Sequence, residues 1–447
     1  MLTLIFNTTE KTIKVQEGVT VLFDLEKAYD TTWKHGILQD LEELGFRGHL
    51  PLFIDNFLTD RIFRIRVGST LSDLHTQEMG VPQGSILSPL LFNLKINNIV
   101  KAVHNGVEDA LFVDDFTICS KGKTLAGVER RLQLCINSIE KWVSDNGFKF
   151  SVAKTECIHF HNQRGVFLAP SLSVYKTPIK VSTQVKFLGL IFDQKLSFVP
   201  HLRYLRTTCL KALNILKVVS NSNWGADQHT LLHLYRSFVR SKLDYGSIVY
   251  GSARKSYLKM IDPIHHQGLR IALGAFRTSP MESLYALTGE APLHLRRLRL
   301  AMNYFLKIKS LPESPVYNCI FNPLFTSKYQ ACPNTIKPFG LRMEQHFEKA
   351  GIDINSVSDL PLGTETPPWQ LVPPDTDLFL SSFKKSDTPD YIYRQEFFKL
   401  SSEKYSDHVH IFTDGSKSEE KVAAAAVTGC KFLTMYSERL ADHSSVY

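Results

Sequence analysis

Val19, Val21, Leu22 and Phe23 form an apolar run with the length and branching of a strand buried in a sheet, and the run ends on a carboxylate, Asp24. An ionised carboxylate at the end of a buried strand must be solvated, paired or bound to a cation. That requirement constrains the fold more than any other local pattern in the 447 residues. It asks for a second element that brings charge or solvent to the same sheet end.

"ALFVDDFTICS" (110–120) supplies a partner, because two short apolar runs meet at Asp114 and Asp115 in the pattern of a β-hairpin. If the two elements neighbour each other in one sheet, three carboxylates converge on one edge. Such oxygen-only donors suit Mg²⁺ or Mn²⁺, and two such ions can activate a hydroxyl and stabilise the leaving oxygen in phosphoryl transfer. The plainer reading makes Asp-Asp ordinary turn chemistry and Asp24 a strand-end cap. Between these elements lies "GVPQGSILSPLLF" (80–92), in which Gly80 and Gly84 permit close backbone approach and Gln83 offers both donor and acceptor. Orienting the helix that follows is the alternative use of such a loop.

Elsewhere the pattern is α+β and then all-α. Trp33, Ile37, Leu38, Leu41 and Leu44 have helical spacing before Gly45, and "RIFRIRVGS" (61–69) alternates as a half-exposed strand. Ser88-Pro89 reads as a cap and first-turn proline, with Phe92, Ile96, Ile99 and Val103 on one face. Leu125 to Trp142 forms an amphipathic helix closed by Asn146-Gly147, and "ECIHF" (156–160) and "VKFLGLIFD" (185–193) read as strands. From 200 to about 310 every pattern is helical. Eleven of the twenty prolines fall in 310–390, the mark of a linker or extended connection. "HVHIFTDGSKSEEKVAAAAV" then opens a new unit, with a strand ending in Asp414, a Gly turn and a second strand.

The charge is uneven: residues 200–300 hold fifteen Lys or Arg against five Asp or Glu, more than the whole chain's +8. Such a segment suits a phosphate-backbone partner or, more plainly, a solvated basic surface. Seven cysteines without CxxC or Cys/His spacing read as reduced core thiols in an intracellular protein. The N-terminus lacks the charge pattern of a signal peptide, and no stretch is apolar enough to span a membrane.

"FDLEKAYD", "GVPQGSILSPLLF" and "FVDDF", in this order, resemble motifs A, B and C of the reverse transcriptases of non-LTR retrotransposons of the jockey and CR1 type. "NGFKFSVAKTECIHF" (146–160) and "VKFLGLIFD" resemble motifs D and E, and "FTDGSK" resembles the first strand of an RNase H domain. The resemblance implies a polymerase palm, an antiparallel sheet with packed helices, over 1–195. A basic all-α thumb or connection over 196–310, a Pro-rich connection over 311–405 and a truncated RNase H-like α/β start over 406–447 would follow. Asp24, Asp114 and Asp115 would be the palm carboxylates that hold two Mg²⁺ or Mn²⁺ ions. Leu25 would lend its backbone to the triphosphate, and Tyr29 would be the aromatic gate against a ribose 2′-OH. Pro82, Gln83 and Gly84 would touch the nascent base pair and template, Lys154 would protonate the leaving pyrophosphate, and Phe187, Leu188 and Gly189 would form the turn that grips the primer end. The implied partners are an RNA template, a DNA primer and deoxynucleoside triphosphates, in the nucleus or cytoplasm.

Two departures qualify the resemblance. Phe112-Val113 replaces the usual opening of motif C, and only 23 residues precede Asp24, where the family places its fingers subdomain and, earlier, an endonuclease. The expectation is that fingers are missing and that the chain alone synthesises little DNA. A non-catalytic nucleic-acid-binding remnant is the competing reading; a maturase or nucleotidyl cyclase is disfavoured by motif B. Only Asp414 falls in a matching RNase H motif, so nuclease activity is not expected.

Overall fold

The computed structural model describes residues 17–161, 168–221, 223–322, 329, 337–357, 377–383 and 388–406, and the backbone of three strands between 411 and 440. The chain divides into two compact units, Met1–Leu360 and Pro361–Tyr447. The sequence divisions at 195 and 310 fall inside the first.

The apolar run becomes the centre of a five-stranded sheet. In chain order its strands are β1 (Glu17–Phe23), β2 (Glu108–Phe112), β3 (Asp115–Gly122), β4 (Glu156–Phe160) and β5 (Lys180–Val181), lying side by side as β5-β4-β1-β3-β2. β1 is antiparallel to both β3 and β4, β2 and β3 form the expected hairpin, and β5 joins β4 in parallel. Two core clusters contain residues from opposite faces of the sheet. Val19, Val21, Phe23, Phe116 and Ile118 belong to one, while Ala110, Ile158 and Phe160 belong to the other. Burial on both faces is why β1 reads as a continuous apolar run without polar alternation.

The first face is covered by α1 (Lys34–Glu43), α2 (His49–Leu58), α3 (Ser88–Ile96) and α4 (Leu125–Asp145). α4 buries Val128, Leu132, Cys135, Ile136, Ile139 and Val143, and the turn after it contains Gly147 at φ 76°, as the Asn-Gly signal required. α3 does not start as its sequence suggests. Leu87, not Ser88, occupies the cap position, and the Ser88 hydroxyl donates instead to the Pro82 carbonyl. "RIFRIRVGS" also departs from a single half-exposed strand. It breaks into short pairs, Arg61–Phe63 with His75–Gln77 and Arg66–Val67 with Thr70–Leu71, in which Ile62, Ile65 and Val67 are exposed.

"VKFLGLIFD" forms a hairpin of β6 (Gln184–Phe187) and β7 (Leu190–Asp193). Against it packs α5 (Val199–Val219), whose Leu202, Leu205, Cys209, Leu213 and Leu216 keep helical spacing in the second core. α6 (Gln228–Tyr235), α7 (Asp262–Leu273) and α8 (Leu293–Lys309) continue that region. The Pro-rich span is not extended throughout. Tyr317–Phe321 is helical, and α9 (Phe339–Ala350) packs Phe339, Met343 and Phe347 around Phe305 and Ile308 of α8, because their i, i+4, i+8 spacing makes an apolar stripe. In the second unit β8 (Ile411–Lys417) pairs with β9 (Val422–Thr428), and β9 with β10 (Met435–Leu440). Pairing continues past Asp414 through Gly415 to Lys417, so these residues do not form the expected turn.

Cys119, Cys135, Cys157 and Cys209 are buried free thiols; burial pushes Cys119 up to about 11 and Cys157 up to about 12. Cys332 and Cys430 lie outside the described residues. Among the described residues, no helix is long and apolar enough to cross a membrane.

Several of the basic residues in 200–300 are spent internally. Glu290, with 3% of its side chain exposed, accepts from Arg236 Nε at 2.8 Å and Arg240 Nη1 at 2.5 Å, and Arg296 makes a two-pronged pair with Asp244. Burial alone would raise the Glu290 carboxyl, but the hydrogen bonds and charges of Arg240 and Arg236 hold it below the ordinary glutamate range. Its stabilising share is therefore complete above the unfolded value and is lost as pH falls through the depressed one. Glu290→Ala should cost about 3 kcal/mol in urea unfolding at neutral pH, since it leaves guanidinium groups unpaired, and the difference from the parent should shrink below about pH 4.

Candidate active site

The last pair in the β1–β3 ladder is Phe23 with Phe116, and the same register carried one step further sets Asp24 opposite Asp115. Directly opposed residues of antiparallel strands share a face, so the two carboxylates fall on one side of one sheet end. Asp114 sits beside them in the two-residue loop Val113-Asp114 between β2 and β3. Val113 adopts φ 56°, a conformation that a β-branched residue takes only under constraint, at a cost of about 1–3 kcal/mol. Strain is thus stored in the loop that carries the carboxylates.

Electrostatics at this end are only partly compensated: one ammonium, Lys154, faces three carboxylates. Burial raises the Asp115 carboxyl above its ordinary range, and the charges of Asp114 and Asp24 push it the same way. Asp24 Oδ2 is shielded from solvent without a directed hydrogen bond, and the Lys154 ammonium lies 3.2 Å from it as an ion pair. Ser151 N donates to the Asp24 carbonyl at 2.8 Å, tying the Lys154 loop to the strand end. Hard oxygen donors with surplus negative charge suit a divalent cation. Among the described residues, no three His, Cys, Asp or Glu side chains converge closely enough to share one ion.

The motif-B loop is stitched to the residues after Asp24. Val81 N donates to the Tyr29 carbonyl and Gly80 N to that of Thr32, both at 2.8 Å. Gly80 has φ +84°, and a Cβ there would lie 2.6 Å from the carbonyl oxygens of Tyr29 and Asp30, so only glycine fits. Gln83, exposed, donates through Nε2 to Asp30 Oδ1 at 3.2 Å, while Gly84 at φ +98° faces open space and Pro82 is half-buried. The Tyr29 ring stacks on Phe92 of α3, with centroids 4.8 Å apart and planes at 16°. Leu25 has a buried side chain and bridges Phe150 through its backbone.

The β6–β7 turn is Leu188-Gly189, with φ 44° and 81°, the two positive values that a tight hairpin loop needs. Phe187 is a core side chain, which leaves Leu188 and Gly189 nearer the surface. Asp414 is described only as a backbone position of β8, paired with Ala425.

Four contributors escape a reading of the sequence. Arg61 donates to the carbonyls of Met79 and Gly80 and so clamps the motif-B loop. Asp30 holds Gln83, and Tyr245 donates to the Leu188 carbonyl at 2.7 Å. Lys95, buried in α3, pairs with Asp40 of α1 at 3.2 Å, and Asn98 donates to the same carboxylate at 3.1 Å. Only the alternating arginines around Arg61 gave any sequence signal, and that signal suggested an ordinary strand.

Residues 5–192 match the family model described as reverse transcriptase (RNA-dependent DNA polymerase). This part of the chain is a reverse transcriptase domain. Its relatives include the RNA-directed DNA polymerase from mobile element jockey of Drosophila melanogaster, 27% identical over 58% of this chain and 28% of that protein. A Pol polyprotein from type-1 retrotransposable element R1 of Bradysia coprophila is 27% identical over 62% of this chain and 28% of its own length. The chain therefore spans little more than a quarter of these two relatives. A telomerase structure from Candida albicans aligns over 71% of this chain and 53% of that one, at 14% identity and a TM-score of 0.32. The reverse transcriptase match contains the stretches that resemble motifs A to D and reaches into β7, and it ends before Asp414.

Gly80→Ala in the reverse transcriptase domain should lose at least about 2 kcal/mol by chemical denaturation, because the new Cβ meets backbone oxygens that cannot swing away. Gly84→Ala, with only the φ penalty, should lose about 1 kcal/mol. Equal losses at the two sites would contradict the close packing of the loop on Tyr29 and Asp30.

Proposed function

We propose that this domain serves RNA-directed DNA synthesis, adding deoxynucleotides to a primer 3′-OH opposite an RNA template, with weak extension expected from the chain by itself. The observation that supports this reading best is the register that sets Asp24 opposite Asp115, with Asp114 in the adjoining strained loop. Asp24, Asp114 and Asp115 would hold Mg²⁺ or Mn²⁺, which when bound supplies charge neutralisation and lowers the pKa of the attacking hydroxyl. In the transfer, the primer 3′-hydroxyl gives up its proton to solvent, its oxygen bonds to the α-phosphorus, the bond to pyrophosphate breaks, and the leaving oxygen takes up a proton.

Lys154 is the candidate donor of that proton, because an ammonium anchored beside Asp24 stands next to the reacting phosphates. The Tyr29 ring, fixed against Phe92, closes the space a 2′-hydroxyl would need. Leu25 offers backbone to the triphosphate, Pro82, Gln83 and Gly84 abut the nascent pair, and Leu188-Gly189, next to Phe187, holds the primer end. RNA template, DNA primer and the helical region's phosphate contacts belong to the same reading. A remnant that binds nucleic acid without catalysis is the second reading, and intact carboxylates weigh against it.

Primer extension on an RNA template with Mg²⁺ tests the proposal, with Mn²⁺ titration as a readout independent of turnover. Asp114→Asn should reduce extension by about a thousandfold and weaken Mn²⁺ binding about tenfold. Extension and Mn²⁺ affinity that both survive this change would overturn the assignment. Tyr29→Ala should raise ribonucleotide relative to deoxynucleotide incorporation while leaving Mn²⁺ affinity unchanged. Lys154→Ala should slow extension yet tighten Mn²⁺ binding about two- to fivefold, since it removes a cation that competes for Asp24 and whose exposed pairing is weak.

A further inference from the structure

A cleft of about 650 Å³ opens between α8, α9 and the short helices Ser247–Tyr250 and Lys255–Leu258, remote in sequence from the carboxylates. Among the described residues that line it are Arg254, Lys255, Lys259, Arg297, Lys337 and Arg342, against one carboxylate, Asp262. Three cations of this helical region, Arg236, Arg240 and Arg296, are neutralised by Glu290 and Asp244. By contrast, among the described residues Arg254, Lys255, Lys259 and Arg297 have no carboxylate within salt-bridge distance. Arg297 Nη1 is shielded from solvent without a hydrogen-bond acceptor, and burial lowers the affinity of its guanidinium for its proton. Burial also lowers His346, which lines the same cleft, and the charges of Lys349, Arg342 and Lys255 lower it further. The field inside is therefore strongly positive and lacks its anion.

We infer that this cleft binds the phosphodiester backbone of an unpaired nucleic-acid strand. Guanidinium forks and ammonium groups recognise phosphate oxygens, and a buried guanidinium nitrogen without an acceptor gains a charge-assisted bond when phosphate arrives. Part of the wall is apolar, through Leu258, Leu298, Phe339 and Met343, which gives the flat face of a base somewhere to rest. Size selects the single strand. A space of this volume holds one or two nucleotides, whereas a duplex about 20 Å across stays at the rim. The site lies outside the residues assigned to nucleotide transfer, and the inference deepens the reading of the helical region's phosphate contacts, on which it rests.

The test uses the full chain, a fluorescein-labelled oligouridine and anisotropy in EDTA, with salt varied from about 50 to 200 mM. Arg254, Lys255 and Lys259 are exposed, so replacing all three by Ala spares the core. The triple variant should lose at least about tenfold in affinity, and its salt slope should fall by about 2, near 0.7 for each lost phosphate contact. A blunt-ended RNA duplex of equal length should lose much less. Arg130→Ala with Lys141→Ala, exposed on α4, should change neither quantity. Lys255→Glu alone, expected to weaken oligouridine binding severalfold, keeps the test decisive if the triple variant melts early. Unchanged affinity and slope in both cleft variants would overturn the assignment. So would an equal loss for duplex, or displacement of oligouridine by polyglutamate at lower charge concentration than by unlabelled oligouridine.

Discussion

Everything at the candidate active site depends on one antiparallel register. Because side chains alternate along a strand, a slip of a single residue between β1 and β3 would send Asp24 and Asp115 to opposite faces of the sheet. The register is held by packing: Val19, Val21, Phe116 and Ile118 are completely buried in one core, and a slip of β1 would move its valines to the other face and put Thr20 and Leu22 in their places. Core packing is therefore what aligns the carboxylates. Burial raises the Asp115 carboxyl and the charges of Asp114 and Asp24 raise it further, a cost carried by that packing.

The motif-B loop is joined to this sheet end by a second short-range device. Glycine at position 80 lets two backbone carbonyls come within contact, and the paired hydrogen bonds from Gly80 and Val81 lock the loop to the segment after Asp24. Arg61 clamps the loop from the other side, and the buried Lys95–Asp40 pair fixes α3 against α1. α3 carries Phe92, and Phe92 carries Tyr29. Removing any of these supports would move the tyrosine ring relative to Asp24 without altering a carboxylate.

The parts of this arrangement that were legible in the sequence are those written in local patterns. The strand that ends on Asp24, the hairpin around Asp114 and Asp115, the helix closed by Asn146-Gly147 and the helical run after 200 each carry a period or a turn signal. What the sequence concealed depends on partners distant along the chain. Ser88 looks like a cap until Pro82 is folded back to accept its hydroxyl. By spacing alone "VKFLGLIFD" looks like one strand, because Leu188 is an unusual residue for a positive φ; only the resemblance implies the turn at Leu188-Gly189. Asp414-Gly415 has the composition of a turn, yet ladder pairing with Ala425 and Ala424 keeps it extended. Arg61, Asp30 and Tyr245 act through contacts that no spacing rule encodes.

Charge follows the same logic. Composition locates an excess of cations in 200–300 but cannot distinguish those that hold helices together from those that await a ligand. Folding makes that division. Arg236, Arg240 and Arg296 are paired with carboxylates inside the bundle and are unavailable to a phosphate without unfolding cost. Arg254, Lys255, Lys259 and Arg297 line one cleft with Asp262 as the single carboxylate among its described lining residues, and α9, from the Pro-rich span, supplies another wall through Phe339, Arg342 and Met343. The span whose prolines suggest a tether thus completes a pocket for the anion that the basic segment lacks.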